Sequence, residues 1–407
     1  MIELYKTESD CCGCSACEAI CPRHNIVMRP NKDGGYMYPL YLGDENCINC
    51  KLCLAVCPLK AKNSVKERMP RAYYAGISND NAIWETSTSG GAFSEIINLY
   101  KDNNPVVFGA RWGENFDVIM DYTEDIKKTS LFRKSKYVSA KLNGLFPVVK
   151  KYLENGRLVI WGGTPCQVNG LKLYLKKEYE NLITIDFACH GQGSPDVFKA
   201  WIDYLGKKYG SPVRRFKFRE RKYIKDHYNS NCTGYELEDG RNILVTRDYY
   251  HHSFVYGWHM RKSCQDCDFP ENRMSDITLA DFKSEEGKSM FEGGMNASDI
   301  LANTSKGMGI CERLKNSMNL YTPSYELELV ANPKVAKKIP GNPSRDQFMK
   351  DFYDGMPVDR VIKKYARILP SQWIDYNLSE WCYHLLLRPF TYFDEIYKII
   401  IRLFNGV

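Results

Sequence analysis

The 407-residue sequence predicts an α+β protein with an α/β core, set between a cysteine-rich N-terminal domain and a helical C-terminal tail. Three observations predict it. Two four-cysteine runs, each ending in Cys-Pro, fall within the first sixty residues. From about residue 72, β-rich runs alternate with runs of helical periodicity. Around Pro340, Gly341 and Pro343 the pattern changes again, to helical runs rich in aromatic and aliphatic residues.

Hydrophobic residues make up 44% of the chain and charged residues 26%, which excludes a disordered or wholly membrane-embedded protein. Net charge is +7, from 56 basic and 49 acidic side chains. That excess is mild and spread out, so nucleic acid is not an expected partner. It suits an anionic cofactor, an acidic redox partner or an acidic membrane face. Sixteen cysteines is a high count, and no apolar stretch precedes Cys11. No run reaches the roughly 18 to 20 apolar residues of a spanning helix. Clustered Cys-x-x-Cys units in such a chain favour metal over disulfides, and we expect a soluble, reduced, cytoplasmic protein.

The first element is the cysteine-rich domain, expected over residues 1–66. Residues 11–22 read CCGCSACEAICP, giving Cys11-x2-Cys14-x2-Cys17-x3-Cys21-Pro22. Residues 47–58 read CINCKLCLAVCP, giving Cys47-x2-Cys50-x2-Cys53-x3-Cys57-Pro58. This is the spacing of a bacterial ferredoxin with two 4Fe-4S clusters. Three cysteines on one tight loop cap three irons of one cubane. The fourth, expected at the start of a short helix, points to the other cluster. The expected ligand sets are Cys11, Cys14 and Cys17 with Cys57, and Cys47, Cys50 and Cys53 with Cys21. A pair of zinc knuckles is the competing reading. Cys12 is spare and read as a packing residue. The basic stretch LKAKNSVKERMPR, residues 59–71, reads as a linker.

The α/β core comes next. AYYAGIS, PVVFGAR, RLVIWGG and LITIDFA read as strands, and GGAFSEIINLYKD, LFPVVKKYLENG and PCQVNGLKLYLKKEY as the helices between them. No G-x-G-x-x-G follows a strand, so a dinucleotide site of the usual doubly wound kind is not indicated. Two strand-to-helix junctions carry chemistry. In STSGGAF, Ser89 reads as an N-cap. Gly90 and Gly91 would open a helix whose apolar face is Ala92, Phe93, Ile96, Ile97 and Tyr100. Such a junction suits a flavin phosphate, or simply a capped helix packed on a sheet. In WGGTPCQ, Thr164 reads as an N-cap and Pro165 as the first helical residue. Cys166 then falls in the first turn, where the helix dipole would favour a thiolate, as metal ligand or nucleophile. A buried inert cysteine is the alternative.

LITIDFA runs straight into Cys189, His190 and Gly191. If its strand is parallel to the one before Cys166, the two cysteines share the carboxyl edge of the sheet. His190 is the candidate catalytic residue, against a purely structural, hydrogen-bonded role. Far along the chain stands the pair Cys264 and Cys267, which supplies two thiolates where a cubane wants four. Together Cys166, Cys189, Cys264 and Cys267 would complete a third 4Fe-4S cluster. Other ligands for Cys264 and Cys267, or simple packing, are the alternatives. Cys232, Cys311 and Cys382 read as packing residues.

As a set the motifs TSGG, SKYV, GTPCQ, CHGQGSP, CQDC, SDITLADF and NTSKG, in that order behind a dicluster ferredoxin, are familiar. Over roughly residues 5 to 320 the chain resembles the beta subunit family of coenzyme F420-reducing hydrogenases and dehydrogenases, in its bacterial single-chain form with an N-terminal 2x(4Fe-4S) ferredoxin domain. The resemblance implies a mixed-sheet flavoprotein domain over residues 70–335, binding FAD and passing electrons between clusters and an organic substrate. It would place Ser89, Gly90 and Gly91 by the flavin. Lys136 and Tyr137, with Arg133 and Lys134 nearby, would meet the flavin phosphates, and Thr164 and Asp281 would also lie by the cofactor. The chain departs from the family in ADFKSEEG, residues 280–287. There Lys283 stands where the family often carries tryptophan, in a segment that would line the substrate pocket. Some single-chain relatives are associated with surface-polysaccharide synthesis.

The last element is a helical extension over residues 345–407. QFMKDFYDGMPVDRVIKKYA is helical in pattern, and Ile396, Ile399, Ile400 and Leu403 recur at helical spacing with Lys398 and Arg402 among them. That end would pack on the body or on a second copy in a homo-oligomer. A helix lying in a membrane interface is the sharper alternative. The whole reads as an iron–sulfur, FAD-dependent oxidoreductase of anaerobic metabolism, with a redox partner protein such as ferredoxin and a small-molecule substrate. A relay subunit with no substrate of its own is the rival reading.

Overall fold

A computed structural model describes residues 2–61, 69–224, 227–245, 248–291, 296–338 and 340–366. The chain divides into two compact units. The first comprises residues 1–195, 223–228 and 260–341, and the second residues 196–222, 229–259 and 342–407. Among the described residues no helix is long and apolar enough to cross a membrane.

The first unit begins with helix α1 (Ala16–Ile20), the antiparallel hairpin of strands β1 (Ile26–Pro30) and β2 (Met37–Tyr41), and helix α2 (Leu52–Ala55). The two cysteine loops repeat one backbone shape. Gly13 and Ser15 before α1 are left-handed, and so are Asn49 and Lys51 before α2. Cys17 and Cys53 lie in the short helices. Cys21 is the C-cap of α1, and Cys57 follows α2 by two residues. The fourth cysteine of each run therefore ends its helix, against the expectation that it starts one. A helix of only four or five residues leaves its last turn free to aim that thiol back across the domain.

The body follows as β3 (Ala72–Ser78), α3 (Asn81–Glu85), α4 (Ala92–Asn98), β4 (Val106–Trp112), β5 (Val118–Thr123), β6 (Ala140–Lys141), α5 (Leu145–Glu154), β7 (Val159–Gly162), α6 (Pro165–Leu175) and β8 (Leu182–Phe187). All four expected strands form. Their buried Val, Ile and Phe side chains make two cores, one on each face of the sheet. After an excursion through the second unit the chain returns, and the sheet gains β12 (Ile277–Asp281), β13 (Ser298–Ala302) and β14 (Met318–Tyr321). The nine-stranded order is β14-β3-β13-β12-β8-β7-β4-β5-β6. Strands β4, β7, β8 and β12 are parallel neighbours, and β13 runs antiparallel between β12 and β3. The carboxyl ends of β3, β4, β7, β8 and β12 thus lie on one edge. The helices α9 (Gly287–Met290), α10 (Ser305–Leu314) and α11 (Tyr325–Ala331) complete this unit. Cys311 on α10 is fully buried among the sheet's aliphatic side chains, as a packing residue should be.

The second unit holds α7 (Pro195–Tyr209), the antiparallel sheet of β9 (Val213–Ile224), β10 (His227–Leu237) and β11 (Asn242–Val245), then α8 (Tyr249–Val255), α12 (Arg345–Tyr353) and α13 (Val358–Tyr365). Its centre is aromatic, with Phe198, Phe216, Phe218 and Tyr250 in mutual ring contact. Asp248 caps α8 and accepts hydrogen bonds from Trp201 Nε1 (3.0 Å) and the Tyr235 hydroxyl. Cys232 is buried here. The expected helical pattern over residues 347–366 forms as α12 and α13. Cys382, residues 62–68 of the linker and the apolar end with Ile396 to Leu403 lie outside the described residues.

Candidate iron–sulfur and cofactor edge

The N-terminal thiols stand in two groups. Cys11, Cys14, Cys17 and Cys57 are near enough for their charges to act on one another. Burial and that mutual repulsion push Cys11, Cys14 and Cys17 above the ordinary thiol range. Cys21, Cys47, Cys50 and Cys53 line one recess, with Asn25, Ile26 and Tyr41. Its sulfurs already meet donors: the backbone N–H of Asn25 donates to Cys21 Sγ (3.3 Å) and that of Asn49 to Cys47 Sγ (3.4 Å).

At the carboxyl edge of the large sheet a second gathering forms. The junction after β7 folds as expected. Thr164 is the N-cap in a capping box with Gln167, and Pro165 opens α6. Cys166 follows, with its Sγ 3.2 Å from Thr164 Oγ1. Because β7 and β8 are parallel, Cys189 emerges beside it. A single 3-10 turn, Lys262–Cys264, brings in the late pair. The charges of Cys166, Cys189 and Cys267 all act on Cys264, so the four thiols are neighbours. Burial and those neighbours push Cys189 and Cys267 up to about 12. Cys166 stands in the first turn of α6, as expected. A contact with the Cys12 thiol and burial hold its pKa well above the ordinary value. A metal would deprotonate such a thiol outright on binding.

Among the described residues no three His, Cys, Asp or Glu side chains converge closely enough for a single metal ion. The four ligands of a cubane stand wider apart than those of one ion, since each thiolate binds a different iron.

Three residues that spacing rules pass over join these groups. Cys12, read as spare, is 5% exposed, and its thiol lies within hydrogen-bonding reach of both Cys14 and Cys166. Gln192 Nε2 donates to the Cys12 carbonyl (3.1 Å) and lies 3.6 Å from Cys166 Sγ. Its Oε1 accepts from Ser139 Oγ (2.7 Å). Arg261, wholly buried, donates from Nε to the Cys11 carbonyl at 2.7 Å. Gln192 lies inside CHGQGSP and Arg261 three residues before Cys264, so adjacency to the motifs was the only signal.

The remaining candidates lie along the same edge. Ser89 is not the N-cap of α4. That place is taken by Gly91 at φ +92, and the Ser89 hydroxyl instead donates to Asp281 at the end of β12. Gly90 is pressed onto the sheet: a Cβ there would stand 1.9 Å from the Gly76 carbonyl oxygen, and the Gly90 carbonyl accepts from Ser78 N–H (2.7 Å). The loop around Lys136 and Tyr137 folds against this junction. Ser135 N–H donates to Thr88 Oγ1 (3.1 Å), and Arg133 donates to Ser94 (2.8 Å) and Thr86 (2.7 Å). Lys136 Nζ meets the carbonyls of Arg133 (2.8 Å) and Lys134 (3.1 Å), and desolvation lowers its pKa to about 7. His190 follows Cys189, half-buried. The edge therefore collects Ser89, Gly90, Gly91 and Asp281, with the loop that carries Lys136 and Tyr137 bonded to Thr86, Thr88 and Ser94 on either side of that junction, and carries Thr164 beside the four body cysteines.

Residues 10–61 match the 4Fe-4S dicluster domain, and residues 156–327 match the C terminus of the coenzyme F420 hydrogenase/dehydrogenase beta subunit. No curated protein sequence matches the chain. Among solved structures, a chain of the F420-reducing [NiFe] hydrogenase complex from Methanosarcina barkeri is similar at a TM-score of 0.46 and 15% identity, over 70% of this chain and 94% of that one.

Proposed function

We propose that the chain, whose residues 10–61 match a 4Fe-4S dicluster domain and residues 156–327 the C terminus of coenzyme F420 hydrogenase and dehydrogenase beta subunits, is a flavin-dependent iron–sulfur oxidoreductase with a third cluster in its body. The observation that carries the proposal is the meeting of Cys166, Cys189, Cys264 and Cys267 at the sheet edge, directly behind Cys12 and Cys14. Four thiols from three separate segments share one spot, as the ligands of one cubane would. Their Gln192 amide donor suits a thiolate sulfur.

The residues fit the groups assigned to them. Cys11, Cys14, Cys17 and Cys57 hold one ferredoxin cluster, Cys21, Cys47, Cys50 and Cys53 the other, and the body cysteines the third. Lys136 is a half-buried amine whose charged form burial disfavours, and a bound phosphate would supply the counter-charge that restores it. It and Ser89, Gly90, Gly91, Tyr137, Thr164 and Asp281 form the flavin side. When bound, clusters supply one-electron steps and a flavin the change to two-electron hydride chemistry. The protein's own part is to hold the thiols in line, exclude water from Cys12, Cys14 and Cys166, and keep Asp281 oriented through Ser89. A ferredoxin-type protein would supply electrons at the more exposed Cys47 and Cys50 end, and His190 would serve a substrate at the edge.

Protein purified and reconstituted without oxygen should carry about twelve irons per chain and show a flavin spectrum. Iron near eight per chain would remove the third cluster. Reconstituted protein with no flavin would overturn the cofactor reading.

A further inference from the structure

Resting on that cluster assignment, we propose that Arg261 is a positioning residue that raises the reduction potential of the inner ferredoxin centre, the one held by Cys11, Cys14, Cys17 and Cys57, and ties it to the body centre.

Arg261 is 0% exposed. Its Nε donates to the Cys11 carbonyl (2.7 Å), and one Nη reaches both Cys11 Sγ (3.5 Å) and the Met37 carbonyl (3.0 Å). The guanidinium lies 3.9 Å from the centre of the Tyr38 ring and 5.5 Å from that of Tyr36. Gly13, at φ +70, makes room for it: a Cβ there would meet Nη1 at 2.8 Å. The backbone faces the other way. The Arg261 N–H donates to the Gln192 carbonyl (3.0 Å), and its own carbonyl accepts from Cys264 N–H (2.9 Å). One residue thus touches a ligand of the inner centre with its side chain and a ligand of the body centre with its main chain.

A buried guanidinium needs an anion. Among the described residues no carboxylate pairs with Arg261. The groups whose charge acts on it most strongly are Cys11, Tyr38, Cys12 and Cys264. Neutral thiols would leave it uncompensated. A cubane with four thiolates carries net negative charge, and each added electron increases it. The cation therefore favours the reduced form, which raises the potential. Among the described residues lining the outer centre's recess, the cationic side chain is Arg23, exposed to water that screens it. Electrons entering at the outer centre would accordingly settle on the inner one, next to Cys12 and Cys166.

The test is an anaerobic redox titration followed by electron paramagnetic resonance, on full-length wild type, Arg261→Gln and Arg261→Lys, with iron counted in each. Arg261→Gln should keep its iron and lower the inner midpoint so that the oxidised-to-reduced ratio at a fixed potential rises at least tenfold, about 59 mV. Arg261→Lys should shift it less, and the outer centre should not move in either. An unmoved inner midpoint in Arg261→Gln overturns the proposal, and so does an equal shift of both centres. If Arg261→Gln sheds the inner iron, retention by Arg261→Lys at the wild-type potential supports a role for the charge. Loss from both variants makes the arginine a structural strut and overturns the proposal. Wild type without ferredoxin-type signals would instead overturn the cluster assignment beneath it.

Discussion

A cysteine declares its role by what vanishes with it. Cys166→Ser should lower iron by about four per chain and leave the two ferredoxin centres reducible. A serine variant that keeps all its iron but loses turnover would mark Cys166 as a nucleophile instead. Lys136 gives a second test at this scale. Its pKa is lowered from 10.5 to about 7 by desolvation. Between those values the unfolded chain binds the extra proton and the folded one does not. Stability from this group therefore rises with pH across that window and is lowest below it. Denaturant unfolding of flavin-stripped protein at neutral and alkaline pH should show that rise, and Lys136→Met should flatten it. A bound phosphate should flatten it too, by restoring the charge. The grouping of the twelve candidate cysteines is legible in sequence because two runs have fixed local spacings, and because parallel strands deliver their ends to one edge. Arg261, Gln192 and the placement of Cys12 are not legible. Their meaning comes from surfaces over a hundred residues apart meeting in space, and no local pattern encodes that meeting.

Helix α6 does two jobs along one face. Its first turn presents Cys166. One turn later Gly170 lies against the inner ferredoxin loop, where a Cβ would stand 2.9 Å from Cys14 Sγ. Gly170→Val should therefore shed inner-centre iron while circular dichroism keeps the signal of the body, and it should leave the outer centre intact. Gly90→Ala should act differently. The clash with the Gly76 carbonyl oxygen and Ser298 nitrogen strikes the sheet itself, so a loss of about 1 to 3 kcal/mol is expected by thermal or denaturant unfolding. Strands β3, β4, β7 and β8 are readable as runs of Val, Ile, Phe and Tyr between turn residues. The α6 boundary is less so: periodicity would carry the helix through Tyr179, yet it stops at Leu175 with Lys176 left-handed. The cap of α4 misleads for a physical reason. A serine two residues before a glycine looks like a cap until Asp281, on a strand far along the chain, claims its hydroxyl.

At the scale of the whole chain, every candidate ligand and flavin-side residue falls within the first unit, including the late pair Cys264 and Cys267. A chain ended after residue 366 should accordingly keep its iron and flavin, which metal and cofactor analysis would check. Loss of either would assign the last segment a part in holding the centres. The alternation of strands and helices announces the α/β core. It does not announce that β12, β13 and β14 arrive only after a long excursion, because strand patterns carry no record of their neighbours. That discontinuity governs how the protein is made. Cys189 and Cys264 are 75 positions apart (264 − 189). At about 5 to 20 residues per second, a ribosome needs roughly 4 to 15 seconds to cover the gap. During that interval Cys166 and Cys189 would wait, half of the proposed site in an unfinished sheet. The ferredoxin runs have by then been complete for over a hundred residues. On the proposed assignment, iron could enter the N-terminal domain while the chain is still growing, whereas a body centre could close only after Cys267 has emerged, so the topology would set the order of metal loading.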